Sequence, residues 1–117
     1  MIRKKWLAVV ALFGGSLCAQ NPIVPPGVFA ADPEGHQWKD GRLYLYVSRD
    51  ESPDFYCSWR YDLLSTDDLK NWTIHRDAFA SKGPNDEVPY SDGELYASDA
   101  AYKDGKYYLY YLSLIHI

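Results

Sequence analysis

The sequence predicts an all-β protein, and three features of its 117 residues carry that expectation. The first is a pair of runs, residues 43–47 (LYLYV) and 107–111 (YYLYY), aliphatic or aromatic at every position and without a 3.6-residue period. Continuous runs of this kind suit strands covered on both faces. The second is the aromatic content: 11 Tyr, 4 Trp and 4 Phe, 16% of the chain, residue types that favour strands. The third is punctuation, with Pro, Gly, Asp and Ser clustered at residues 25–27, 52–54 and 82–93. After residue 20 no stretch carries an amphipathic helical pattern beyond one short turn around residues 66–70.

In chain order, residues 1–19 (MIRKKWLAVVALFGGSLCA) come first: a basic start, an apolar stretch over residues 6–13, then small residues. That is the pattern of a secretory signal peptide, and its apolar run is far shorter than the ~20 residues of a membrane-spanning helix. Cleavage is expected after Ala19, giving a secreted, periplasmic or cell-surface protein without a transmembrane segment. Cys18 leaves with the signal, so Cys57 would be alone and no internal disulfide forms. The formal net charge of −4 becomes −7 once Arg3, Lys4 and Lys5 are removed. An acidic surface repels phosphate backbones, which excludes nucleic acid as a partner.

Strands are expected next at residues 43–47, 55–59, 62–65 and 107–111. An internal repeat organises them. Trp38-Lys39-Asp40-Gly41-Arg42-Leu43-Tyr44-Leu45-Tyr46 aligns with Tyr102-Lys103-Asp104-Gly105-Lys106-Tyr107-Tyr108-Leu109-Tyr110, 64 residues on. Each copy reads as a strand end, an Asp-Gly hairpin turn and a second strand. Between them, residues 65–73 (STDDLKNWT) read as a turn leading into a further strand. A unit of this length with some four strands has the size of a β-propeller blade. Two units do not close a ring, since a propeller needs at least ~4 blades. The final residues 112–117 (LSLIHI) follow a strand without any turn. They equal the translation of CTG-TCT-CTT-ATA-CAC-ATC, a transposon-end adapter of sequencing libraries. The natural frame is therefore expected to depart from this sequence at about Tyr111 and to continue, and His116 carries no functional weight.

Both repeat copies are preceded by a carboxylate among small residues: Asp32 in Ala31-Asp32-Pro33 and Asp99 in Ala97-Ser98-Asp99-Ala100. On the residues alone two readings stand. The two can converge on one funnel and do acid–base work on glycosidic bonds, or each can simply start a turn. His36, four residues after Asp32, is either a sugar contact or a structural histidine. Trp38, Trp59 and Trp72 are either sugar platforms or buried packing, and Trp59 is the candidate substrate-binding residue. Cys57 reads as a small buried residue. No zinc-type cluster, phosphate loop or nucleophile elbow is present in the sequence, so no metal ligand is assigned.

Taken together, Asn21-Pro22-Ile23, Ala31-Asp32-Pro33, the two DG-(R/K)-x-Y-L-Y strands, Ser65-Thr66-Asp67-Asp68-Leu69-Lys70-Asn71-Trp72 and Tyr96-Ala97-Ser98-Asp99 resemble glycoside hydrolase family 43. The resemblance covers residues 21–111. It implies a five-bladed β-propeller, with about the first two blades over residues 20–111, acting by inversion on arabinofuranosyl or xylosyl linkages of plant polysaccharides. It also implies that Asp32 is the general base and that Asp99 tunes and orients the general acid. That acid, a Glu of the third blade, has no counterpart here, so the chain as given is expected to be inactive. No cofactor is required; calcium near the axis occurs in some members, and nothing here shows its ligands. The family usually has Trp-Ala-Pro-Asp where this chain has Tyr-Ala-Ser-Asp, which bears on substrate preference. Two alternatives are a non-catalytic carbohydrate-binding propeller and another five-bladed glycosidase, such as a retaining fructan hydrolase.

Overall fold

The structure, a computed structural model, describes residues 23–54 and 58–113. The signal segment, both cysteines and most of the terminal LSLIHI therefore lie outside the described residues. Among those described the architecture is all-β, with six strands in two antiparallel sheets. β1 (Ala30–Gln37), β2 (Leu43–Arg49), β3 (Arg60–Thr66) and β4 (Thr73–Ala80) form a meander in chain order. β5 (Leu95–Lys103) and β6 (Lys106–Ser113) form a hairpin. A four-stranded meander followed by the start of a second unit is consistent with a partial β-propeller. The first strands of the two units, β1 and β5, pack against each other, and β2 also touches β5.

Strand order sorts the connections onto two ends. The Asp-Gly turns and the turn through Asp67–Asn71 lie at one end, and the long connections 50–59 and 81–94 at the other. The second Asp-Gly turn is a two-residue loop closed by the Lys103–Lys106 pair, with positive φ at both Asp104 (51°) and Gly105 (79°). That is the type I′ geometry that suits the twist of a hairpin. The first differs. The β1–β2 register closes at Gln37–Leu43, leaving a longer loop in which Gly41 alone of these residues has positive φ, at 81°. Asp40 accepts the Arg42 amide at 3.1 Å and the Tyr44 hydroxyl at 2.6 Å, which holds this loop from within. The turn at the same end is organised by Thr66 and Asp68. The Asp68 carboxylate accepts the Lys70 and Asn71 amides, and these bonds hold it far below the usual carboxylate range.

The core consists of Val47, Tyr61, Leu64, Ala80, Val88, Leu95 and Ala100. Tyr61 stacks on Phe79 at 5.8 Å, and Phe79 meets Tyr111 at 5.0 Å, so aromatic rings join β3 and β4 to β6. Buried beside this core is a carboxylate. Asp62 is 2% exposed and accepts from Arg49 Nε at 3.0 Å, Arg76 Nη1 at 2.6 Å and the Asp77 amide at 3.0 Å, with a second bond from Arg49 Nη2. Burial pushes its carboxyl up, but Arg49, the Asp77 amide and Arg76 outweigh it and hold it below the ordinary range. Asp77 reaches this position with φ of 53°, where the β3–β4 register shifts.

Two expectations are corrected. Residues 43–47 and 107–111 are strands, but neither is covered on both faces. In β2 only Val47 and Ser48 are fully buried, and in β6 Tyr107 and Tyr110 are each 58% exposed. For β6 the cause is position: among the described residues it pairs with β5 alone, so one of its edges is unpaired. The expected strand over 55–59 falls largely on residues that are not described. Of its described part, Ser58 forms an isolated bridge to Leu95, and Trp59 belongs to no strand. The expected strand 62–65 is the middle of β3.

Candidate active site

Strands β1 and β5 are both bulged, at equivalent places in the repeat. In β1, three steps from Ala31 to Glu34 span two on β2, so Asp32 and Pro33 carry the extra residue. In β5, the two steps from Tyr96 to Ser98 span one on β6, so Ala97 is extra. Bulges bend a strand and re-aim its side chains, and they recur beside active sites.

Asp32 sits in the β1 bulge with φ of 47°, exposed to solvent. Asp tolerates the left-handed region better than most residues, but Pro33 behind it favours extended backbone, so this conformation is strained. Asp99 lies two residues beyond its own bulge, where the repeat places Gly35 in β1. The two aspartates therefore do not occupy equivalent positions. With one residue taken up by the bulge, Asp32 and His36 are roughly 10 Å apart along β1.

Asp99 faces His36. Nε2 of His36 and Oδ1 of Asp99 are 2.8 Å apart, and the same oxygen accepts the Ala100 amide at 2.6 Å. The His36 bond, then the Ala100 amide, hold the Asp99 carboxyl below its ordinary value. Ionised, it can only accept, so Nε2–H of His36 is the donor in this pair. The imidazole lies flat on Trp38 (4.8 Å, 5° between planes) and edge-on to Tyr46 at 6.0 Å. Trp38 in turn donates Nε1–H to the Tyr46 hydroxyl at 3.2 Å and meets Tyr107 edge-on at 5.2 Å. Sequence reasoning placed His36 beside the site but not on Asp99.

Tyr61 ties the first sheet to the start of β5. It is 2% exposed, and its hydroxyl donates to the Tyr96 carbonyl and lies 3.4 Å from that of Ala97, two residues before Asp99. Burial pushes this hydroxyl up to about 12, and the nearby charge of Asp32 adds to the shift.

Glu34 Oε1, His36 Nε2 and Asp99 Oδ1 lie within 4.8 Å of one another. Ligand atoms of a tetrahedral ion with ~2.0–2.1 Å bonds stand about 3.3 Å apart. The His36–Asp99 separation of 2.8 Å is instead that of a hydrogen bond, and the cluster is read as a proton-bridged pair with Glu34 at its rim.

At the Asp32 end a cavity of about 510 Å³ is lined by Phe29, Asp50, Glu51, Ser52 and Pro53. Phe29 is 65% exposed, and Asp50 Oδ1 is buried with no hydrogen-bond partner among the described residues. Trp59 is at this end too. Its Nε1 donates to the Asp92 carbonyl at 2.9 Å, and Lys82 Nζ lies 4.8 Å from its ring centroid. A ligand stacking on that face would have to displace Lys82.

The chain is similar to two characterised relatives. It is 32% identical over 94 residues to a Bacteroides ovatus protein named xylosidase/arabinosidase, a match covering 74% of this chain. It is 35% identical over 92 residues to xylosidase/arabinosidase 43A of Humicola insolens, covering 72%. The matched region spans only 28% of the length of each of these relatives. No family model matches the chain.

Proposed function

We propose that this chain is the N-terminal part of a secreted glycoside hydrolase of family 43. The whole protein is a five-bladed propeller that cleaves arabinofuranosyl or xylosyl linkages of plant polysaccharides with inversion. β1–β4 are its first blade, and β5–β6 begin the second. Residues 1–19 are its signal peptide, residues 112–117 are foreign to it, and it needs no cofactor. The observation that carries this reading is that two exposed aspartates, Asp32 and Asp99, stand on strands β1 and β5, which pack against each other. One is strained at a bulge, and the other is held ionised. The names of both relatives support the substrate class.

In this reading Asp32 takes a proton from water as it attacks the anomeric carbon. A second carboxyl group, a Glu further along the whole protein, protonates the departing oxygen. Inversion needs these two groups ~6.5–9.5 Å apart with the water between Asp32 and the sugar. Asp99, fixed by His36 and the Ala100 amide, supplies a steady negative charge, which keeps the acid protonated and oriented. The Phe29–Asp50 cavity suits a sugar: an apolar ring face for Phe29 and a hydroxyl donor for Asp50 Oδ1.

The test begins with the source gene, read through the codon for Tyr111 in adapter-free sequence. The frame should continue for three more units. Its product should hydrolyse an aryl α-L-arabinofuranoside or β-D-xyloside, and proton NMR should show the inverted anomer first. Retention would point to a fructan-hydrolase-type mechanism, and binding without turnover to a carbohydrate-binding propeller. Either result overturns the reading.

A further inference from the structure

We infer that His36 is a positioning residue that clamps Asp99 across the two blades, rather than a contact to the sugar. The inference rests on the reading of Asp99 as part of the hydrolytic site, and the geometry behind it is independent of that reading.

The clamp is a closed circuit of four side chains. Tyr107, from the second sheet, meets Trp38 at the end of β1; Trp38 stacks on His36; and His36 returns to the second sheet through Asp99. Each link restricts the next. The imidazole has one face on the Trp38 indole and its edge toward Tyr46, which fixes the ring plane. Trp38 is itself held by its bond to the Tyr46 hydroxyl. With the plane fixed, Nε2–H points to Asp99 Oδ1 and is consumed there, leaving that donor nothing for a sugar hydroxyl. The Ala100 amide takes a second direction on the same oxygen, so the Asp99 carboxylate is held by two donors from different sheets.

The arrangement explains why Asp99 stays oriented although its side chain is 59% exposed, whereas His36 is only 25% exposed. A solvent-facing carboxylate without such a partner samples several rotamers. Fixing it beforehand removes an ordering cost from the reaction, and small displacements of a catalytic group cost as much as 100-fold in rate. Glu34, 4.0 Å from Nε2, is the other charged group facing the ring.

Two arms test the clamp. In the purified chain, long-range ¹H–¹⁵N NMR should find His36 in the Nε2–H tautomer, and Asp99→Ala should abolish that preference. A His36 spectrum indifferent to Asp99→Ala overturns the inference, whatever the enzyme does. In the full gene product, His36→Phe keeps a ring on Trp38 but deletes the donor. It should lower kcat roughly 10- to 100-fold with KM within about twofold, and His36→Gln, which restores an N–H donor, should recover part of the loss. In an Asp99→Asn background His36→Phe should have little further effect, because both changes remove one coupled unit. Equal losses in the two backgrounds, or a raised KM with unchanged kcat, overturn the inference. A gene product without glycosidase activity would defeat the functional reading of Asp99, and the NMR arm alone would then decide the clamp.

Discussion

Replacing Tyr61 with Phe deletes one oxygen and leaves the ring where it is. The ring is 2% exposed and stacked on Phe79, so apolar burial is conserved. What disappears is the donor to the Tyr96 carbonyl, with the Ala97 carbonyl at its margin. Losing one hydrogen bond of this kind costs ~0.5–1.5 kcal/mol, and more where the groups are buried. The net expectation is a loss of about 1–2 kcal/mol, against ~3–5 kcal/mol for a truncation to Ala that empties the ring site. Urea unfolding followed by tryptophan fluorescence should show a lower midpoint at unchanged slope. Amide exchange should accelerate at the start of β5. The alkaline limb gives a second signature. The hydroxyl sits at about 12 in the folded chain against the ordinary 10, mainly through burial. Its contribution is therefore complete below pH 10 and is lost as pH rises toward 12, at ~1.4 kcal/mol per pH unit. Tyr61→Phe should remove that sensitivity. A variant with the wild-type midpoint and the wild-type alkaline limb would refute Tyr61 as the buried tie between the sheets.

Asp62→Ala should be more damaging, about 2–4 kcal/mol by thermal or urea unfolding, because it removes the buried carboxylate that Arg49 and Arg76 share and leaves Arg49 only the more exposed Asp77 and Glu51. Since the Asp62 carboxyl is held below its ordinary value of 3.8, its contribution is present above that pH and lost as pH falls below it. The acid limb of the wild-type stability profile should therefore flatten in the variant. Ser98→Ala should be neutral or stabilising by up to ~1 kcal/mol, because the Ser98 hydroxyl is buried with no partner among the described residues. A loss of more than 1 kcal/mol in the same assay would mean that this hydroxyl has a partner.

Much of the fold was legible because it is local. The aromatic runs at 43–47 and 107–111 mark β2 and β6, and the repeated Asp-Gly marks both hairpins. The repeat reached further than its matching letters: β1 and β5 bulge at equivalent positions although Asp32-Pro33 and Tyr96-Ala97 share no residue. Partners distant in sequence were illegible. His36 and Asp99 are 63 residues apart, and nothing in either segment says which carboxylate an imidazole will meet. Asp62 reads as an ordinary polar strand residue, and only the convergence of Arg49, Arg76 and the Asp77 amide makes it a buried anion. The loop at Asp40 was misjudged for a different reason. Asp-Gly permits a two-residue turn, but the Tyr44 hydroxyl and Arg42 amide bound to Asp40 favour a longer one.

The assignment of Asp32 as the base is tested most directly by Asp32→Asn in the full gene product. Asn also accepts the left-handed backbone found at this position, so the variant should melt within a degree or two of wild type. It cannot take a proton from water, so turnover of an aryl arabinofuranoside or xyloside should fall by ~10²–10⁴-fold with substrate affinity retained. A folded variant that turns over at near the wild-type rate would contradict the assignment and the hydrolytic mechanism built on it.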